Sequence, residues 1–194
     1  MSPHRLLPAL VLTGMLAACT QLPVAGNAVL PQRAARTAVA DFVLTGRIAV
    51  RQGPQHHAAN ITWQHSARRE QIFLATPLGQ GIAELTRDVA GARLTTAERR
   101  EFAAADWQAL SVQVFGLVLP LSALPRWLQA DVPAEALGVK YDAYGRPQRM
   151  VAEDWQVAYL EYASDAVDAL PVLIELKRED IEVRLKVDQW QMPR

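Results

Sequence analysis

The chain has 194 residues, enough for one domain with a sizeable core and a tether, and too few for a second full domain. Lysine plus arginine equals aspartate plus glutamate at 20 each, so no overall basic field exists to draw in nucleic acid or to hold the protein on anionic headgroups. The single cysteine excludes an internal disulfide and a thiolate metal cluster.

That cysteine, Cys19, closes an apolar stretch, Leu6 to Leu16, which follows a weakly basic start at His4 and Arg5. The stretch carries Pro8 and Gly14 and is shorter than the ~20 residues that a spanning helix needs, so it reads as a cleaved signal, residues 1–18. Leu16-Ala17-Ala18-Cys19 resembles the bacterial lipobox, in which cleavage exposes the cysteine for acylation. The resemblance implies three acyl chains. Each buried methylene contributes ~0.8 kcal/mol, so two or more chains make dissociation negligible. Thr20 stands where an aspartate favours inner-membrane retention in enteric bacteria, which points to the outer membrane. Residues 19–40 mix Pro23, Gly26, Asn27 and Pro31 with many alanines and read as a tether, with a helical turn or two at Ala34 to Ala40.

From Asp41, residues 41–194 form the domain, and their dominant period is two, the mark of strands with distinct faces. Phe42, Leu44, Ile48 and Val50 share one side, opposite Thr45, Arg47 and Arg51, before Gly53-Pro54 turns the chain. Further strands are expected at 58–64, 71–75, 81–87 and 92–96, with a turn at Ser66 to Arg69. Short connections make them antiparallel neighbours. The period then becomes helical through Trp107, Leu110, Val114 and Leu117, with Asp106 as N-cap and Gly116 near the stop. A short second helix is expected with Ser122 as N-cap, Pro125 in its first turn, and Leu124, Trp127 and Leu128 on it. Strands resume at 139–144, 149–153, 155–162, 172–177 and 181–190, the last pair with one apolar and one wet face.

The sum is mainly β: about ten strands with two helices inserted between an N-terminal and a C-terminal set. A single antiparallel sheet of that length curls into an incomplete, half-open barrel. The helices are the elements available to cover its mouth. Between sheet and helices lies either a packed core or a hollow.

Pro77-Leu78-Gly79 reads as a tight loop tip, since Pro77 fixes φ and Gly79 permits left-handed backbone. Either the tip presents Leu78 to its surroundings or the loop folds back and Leu78 joins the core. Arg47 and Arg51 suit a solvated strand face. His56 and His57, adjacent on a strand, point to opposite faces and make a poor metal pair. Glu153-Asp154 and Glu179-Asp180 look like turn residues. No Gly-x-Ser-x-Gly elbow, phosphate-cradling loop or His-Glu-x-x-His is present, so an enzyme is not expected.

Leu44-Thr45-Gly46-Arg47, Trp63-Gln64, Leu74-Ala75-Thr76-Pro77-Leu78-Gly79, Pro120-Leu121-Ser122 with Trp127-Leu128, and Asp154-Trp155 resemble, in order and spacing, the LolB family of outer-membrane lipoprotein receptors. The likeness covers nearly the whole domain; Thr76 departs from the family's usual asparagine. It implies an open, strongly curved antiparallel barrel with a helical lid over an apolar cavity. It also implies an activity: acceptance of client lipoproteins from a LolA-like periplasmic carrier by binding their acyl chains, then insertion into the inner leaflet of the outer membrane by a monomer without metal or nucleotide. In this resemblance Leu78 projects into the outer-membrane bilayer, and Trp63, Trp127 and Trp155 belong to the cavity region, although plain core packing explains a buried tryptophan equally well. Leu110, Val114, Leu117 and Leu124, with Phe115 and Val118, join them as lid candidates, since the segment from Val112 to Leu124 carries more than one apolar stripe, although a buried connection at Leu117 to Leu121 explains it equally well. The competing reading is an assembly lipoprotein that docks proteins over a filled core.

Overall fold

A computed structural model describes residues 41–192. The expected signal, the acylated Cys19 and the tether lie outside the described residues. Eleven strands and two helices follow one another: β1 (Phe42–Gln52), β2 (Gln55–His65), β3 (Glu70–Ala75), β4 (Gly81–Asp88), β5 (Gly91–Thr96), β6 (Glu101–Ala104), α1 (Trp107–Phe115), α2 (Leu124–Leu128), β7 (Leu137–Tyr141), β8 (Pro147–Ala152), β9 (Trp155–Tyr162), β10 (Pro171–Arg178) and β11 (Ile181–Gln191).

The strands form one antiparallel sheet in the order β6-β5-β4-β3-β2-β1-β11-β10-β9-β8-β7. The first and last strands therefore meet in the middle, and β6 and β7 are its two open edges among the described residues. Most consecutive strands are joined by tight turns that match the twist of their hairpins. Glu153 and Asp154 both take left-handed backbone, φ 48° and 64°, between β8 and β9, as a mirror-image two-residue turn requires. A sheet this long cannot stay flat, and it curls around the side chains of its inner face.

Several expectations change. β6 adds a strand that residues 101–104 did not announce, and β7 lies at 137–141 instead of 139–144. The expected cap at Ser122 is replaced: Ala123 precedes α2 without a side-chain cap. Pro120 O accepts from both Ala123 N, at 3.0 Å, and Leu124 N, at 2.9 Å, so the orphan donors of the first turn are met by a preceding carbonyl. Asp106 does cap α1, its Oδ1 accepting from Ala109 N at 2.8 Å, and Gly116 stops it at φ 71° with its N–H donating to Val112 O at 2.9 Å.

The inner face is largely apolar but carries a charged pair, Glu70 with Arg87. Glu70 is 2% exposed and shares the inward phase of β3 with Ile72. Arg87 Nη2, directly across on β4, donates to Glu70 Oε1 at 2.8 Å, and His65 Nδ1 lies 3.5 Å away. Burial pushes the Glu70 carboxyl up, but the nearby His65 imidazole and the hydrogen bond and charge of Arg87 outweigh it and hold it below the ordinary carboxylate range. A lowered folded-state value means that the stabilisation is present above the unfolded value and is lost as pH falls through the folded one. Arg87→Met strands a buried carboxylate and is expected to cost about 3 kcal/mol, the low end for a broken buried pair because Arg87 is partly exposed. Chemical denaturation at neutral pH checks the loss. The deficit should shrink as the pH is lowered below the carboxylate range, and a pH-independent deficit would contradict the account.

Candidate functional site: the helical roof and the Leu78 loop

α1 and α2 fall in the chain between the two edge strands, so they span the opening of the sheet. α1 packs on β5 and β6. α2 is tied to the opposite half, where Tyr159 of β9 donates its hydroxyl to Trp127 O at 2.9 Å. The connection after α1 is pinned by Ser111, buried completely, whose Oγ donates to Gln108 O at 2.9 Å and accepts from Leu119 N at 3.2 Å.

Beneath this roof the structure brings the candidate residues together. Trp63, Trp127, Trp155 and Leu110 are all at most 3% exposed and belong to one apolar cluster, against which the half-buried Val114, Leu117 and Leu124 pack. Trp63 comes from β2, Trp155 from β9 and Trp127 from α2, so the cluster joins both halves of the sheet to the lid. The indole N–H groups of Trp63 and Trp107 are buried without a hydrogen-bond partner among the described residues. An orphan donor in an apolar interior is uncommon and is available to an acceptor that enters. Trp190, by contrast, donates to Pro171 O at 2.9 Å and stacks edge-on against Phe42, as ordinary packing.

α1 is apolar on two sides. Trp107 and Leu110 face the core, whereas Val112 and Phe115 on the helix, and Val118 just after it, are exposed. A helix with one buried stripe has no packing need for a second.

The Leu78 loop lies at the end of the β3–β4 hairpin. Thr76 N donates to Gln80 O at 2.8 Å, Gly79 N to Thr76 O at 2.9 Å, and Gln80 N to Thr76 Oγ1 at 3.1 Å. Asn60 Nδ2 braces it from β2 by donating to Thr76 O at 3.2 Å. Gly79 is left-handed at φ 85°. This closed ring of hydrogen bonds leaves Leu78 90% exposed at the tip, so the loop does not fold back into the core.

Elsewhere the singled-out charges are structural. Arg47 pairs with Asp188 at 2.8 Å and Arg51 with Glu182 at 2.5 Å across the β1–β11 seam, on the solvated face. His56 and His57 are exposed on β2. The buried Glu70–Arg87 pair escaped the reading of the sequence, although Glu70 stands in phase with Ile72 and Arg87 in phase with Leu85, a pattern that places both inward.

Residues 40–190 match the family model described as outer membrane lipoprotein LolB. The outer-membrane lipoprotein LolB of Azoarcus sp. strain BH72 is 37% identical over 185 residues, covering 95% of this chain and 93% of its own. That of Nitrosomonas europaea is 38% identical over 153 residues, covering 77% and 72% respectively. A crystal structure of a lipoprotein-sorting protein domain from Vibrio parahaemolyticus superposes with a TM-score of 0.50 at 6% identity, covering 82% of this chain and 88% of that one, a likeness of fold alone. The chain belongs to the LolB family of outer-membrane lipoproteins.

Proposed function

We propose that this LolB-family protein accepts lipoproteins from a LolA-like periplasmic carrier, holds their acyl chains against the apolar interior beneath α1 and α2, and inserts them into the inner leaflet of the outer membrane. The observation that carries this reading is an unclosed sheet whose gap is spanned by a roof with apolar side chains on both faces. Lifting that roof would expose Trp63, Trp127, Trp155 and Leu110 to an acyl chain, with Val114, Leu117 and Leu124 on the moving side. The tryptophans are wide, stiff walls that lose little entropy on binding. The free indole N–H of Trp63 suits an ester carbonyl at the root of the chain. No energy source is needed where affinity rises from carrier to receptor to bilayer.

The division of labour is threefold. Residues 1–18 direct export, acylated Cys19 with the tether 19–40 holds the protein at the membrane, and the domain performs the transfer. Cys19→Ala is expected to mislocalise the protein while leaving acyl acceptance in solution intact, and fractionation with a binding assay checks both. A soluble variant unable to take acyl chains would show that the lipid does more than anchor. For acyl binding beneath the roof, a fatty-acyl chain carrying a quencher should extinguish tryptophan fluorescence in a saturable way. No quenching at any probe concentration would leave the protein-docking alternative.

A further inference from the structure

The loop after β5 is built like the Leu78 loop and lies beside it. Thr96 N donates to Arg100 O at 2.9 Å, Arg99 N to Thr96 O at 2.9 Å, and Arg100 N to Thr96 Oγ1 at 3.3 Å, the same three bonds that Thr76 makes. Its neighbour relation is fixed by the β4–β5 register, Ala83 opposite Thr96, and by Ala97 N donating to Ile82 O at 2.9 Å. The two tips therefore project from the same end of the sheet.

They differ at the left-handed position. Gly79 occupies it in one loop, at φ 85°, and Gly145 in the related turn after β7, at φ 75°; here it is Arg99, at φ 62°. A long side chain is strained in that conformation where glycine is not, and such strain persists where the side chain has a use. Arg99 is exposed and has no ion-pair partner among the described residues, while Arg100 has Glu98 at 3.8 Å. The loop thus offers one uncompensated cation next to an exposed leucine. The remaining turns at this end, across β1, carry Glu179-Asp180 and Glu153-Asp154; Gly53 N donates to Asp180 O at 3.3 Å, which places the β10–β11 turn at the same end. The rim is therefore uneven in charge, with four carboxylates against Arg178 in the β8–β9 and β10–β11 turns, and Arg99 and Arg100 against Glu98 in the loop beside Leu78.

We propose that Arg99 is a headgroup-binding residue: it engages the phosphate of an anionic phospholipid while Leu78 enters the adjacent acyl layer, and the acidic half of the rim is held off the same surface. The inference rests on the Leu78 loop facing the bilayer. One cation at an anionic surface is worth about five-fold in partitioning, and the effect falls with salt.

Flotation of the chain from residue 19 with Cys19→Ala, on vesicles of phosphatidylethanolamine and phosphatidylcholine with and without phosphatidylglycerol, tests it. Arg99→Gly relieves the strain, so its melting temperature should equal or exceed the parent's, while binding to the anionic vesicles falls about five-fold and binding to the neutral ones is unchanged. Arg99→Asn, which also tolerates the conformation, should behave like the glycine variant, and Arg99→Lys should retain most of the binding. Leu78→Glu should weaken binding to both kinds of vesicle. If Leu78→Glu weakens both and the neutral Arg99 variants weaken neither, the headgroup role is overturned and the loop's membrane role stands. If Leu78→Glu weakens neither, the membrane-facing reading of this end falls, and the headgroup role with it.

Discussion

Leu78→Glu is expected to fold with an unchanged melting temperature, to accept acyl chains within about two-fold of the parent, and to deliver them to vesicles at least ten-fold more slowly. The first two follow from geometry: Leu78 is 90% exposed, and its loop is closed by main-chain bonds and Thr76, not by the leucine. The third follows from energetics. Inserting a leucine contributes ~1.5–3 kcal/mol, and each 1.4 kcal/mol is a factor of ten, so its loss alone removes about an order of magnitude or more. A carboxylate in the same place adds a penalty for entering the interface. Pro77 and Gly79 act through the loop's shape, so Leu78→Phe should keep delivery near the parent's rate. Transfer from protein to liposomes, followed by flotation, is the measurement; equal delivery by the glutamate variant would remove Leu78 from the mechanism.

Gly46→Ala should be the most damaging small substitution in the domain. A Cβ built at Gly46 would stand 2.2 Å from the main-chain oxygen of Lys186 and 3.0 Å from Val187 Cα, where β11 crosses the register shift between Thr45 and Gly46. Both obstacles are backbone, so no side chain can swing away. The only relief is to part β1 from β11, and that seam joins β2–β6 to β10–β7. The cost should reach or exceed the upper end of the ~1–3 kcal/mol typical of overpacking. For a domain of this size it corresponds to a fall in melting temperature of roughly 10 °C. Thermal denaturation of the full chain checks it, and an unchanged midpoint would mean that β1 and β11 do not approach this closely.

Alternation made most of the sheet legible, because an antiparallel strand with one wet face must repeat every two residues. Trp155–Tyr162 falls at the limits expected for it, and Gly116 stops α1 where its conformational freedom is needed. What escaped has physical reasons. β6 is four residues long with alanines at 103 and 104, and the turn before it uses Arg99 where a glycine would have announced it. The Ser122 cap failed because a hydroxyl is dispensable once Pro120 O takes the first-turn donors. For the site, the loop chemistry of Pro77 and Gly79 anticipated a tip, whereas the exposure of Leu78 depends on the ring of hydrogen bonds around Thr76, which no local pattern encodes. The tryptophans could be marked by type, whereas their convergence from β2, β9 and α2 depends on a closure between β1 and β11 that no local pattern encodes.

The central claim is that the domain itself takes lipoproteins from the carrier. Its most direct test mixes the Cys19→Ala chain from residue 19 with a periplasmic carrier loaded with an acylated lipoprotein, in the absence of membrane and nucleotide, and then separates the two proteins. The lipoprotein should be recovered on the LolB-family protein, leaving an emptied carrier. A client that remains with the carrier, while the same carrier releases it to the acylated parent, would contradict it.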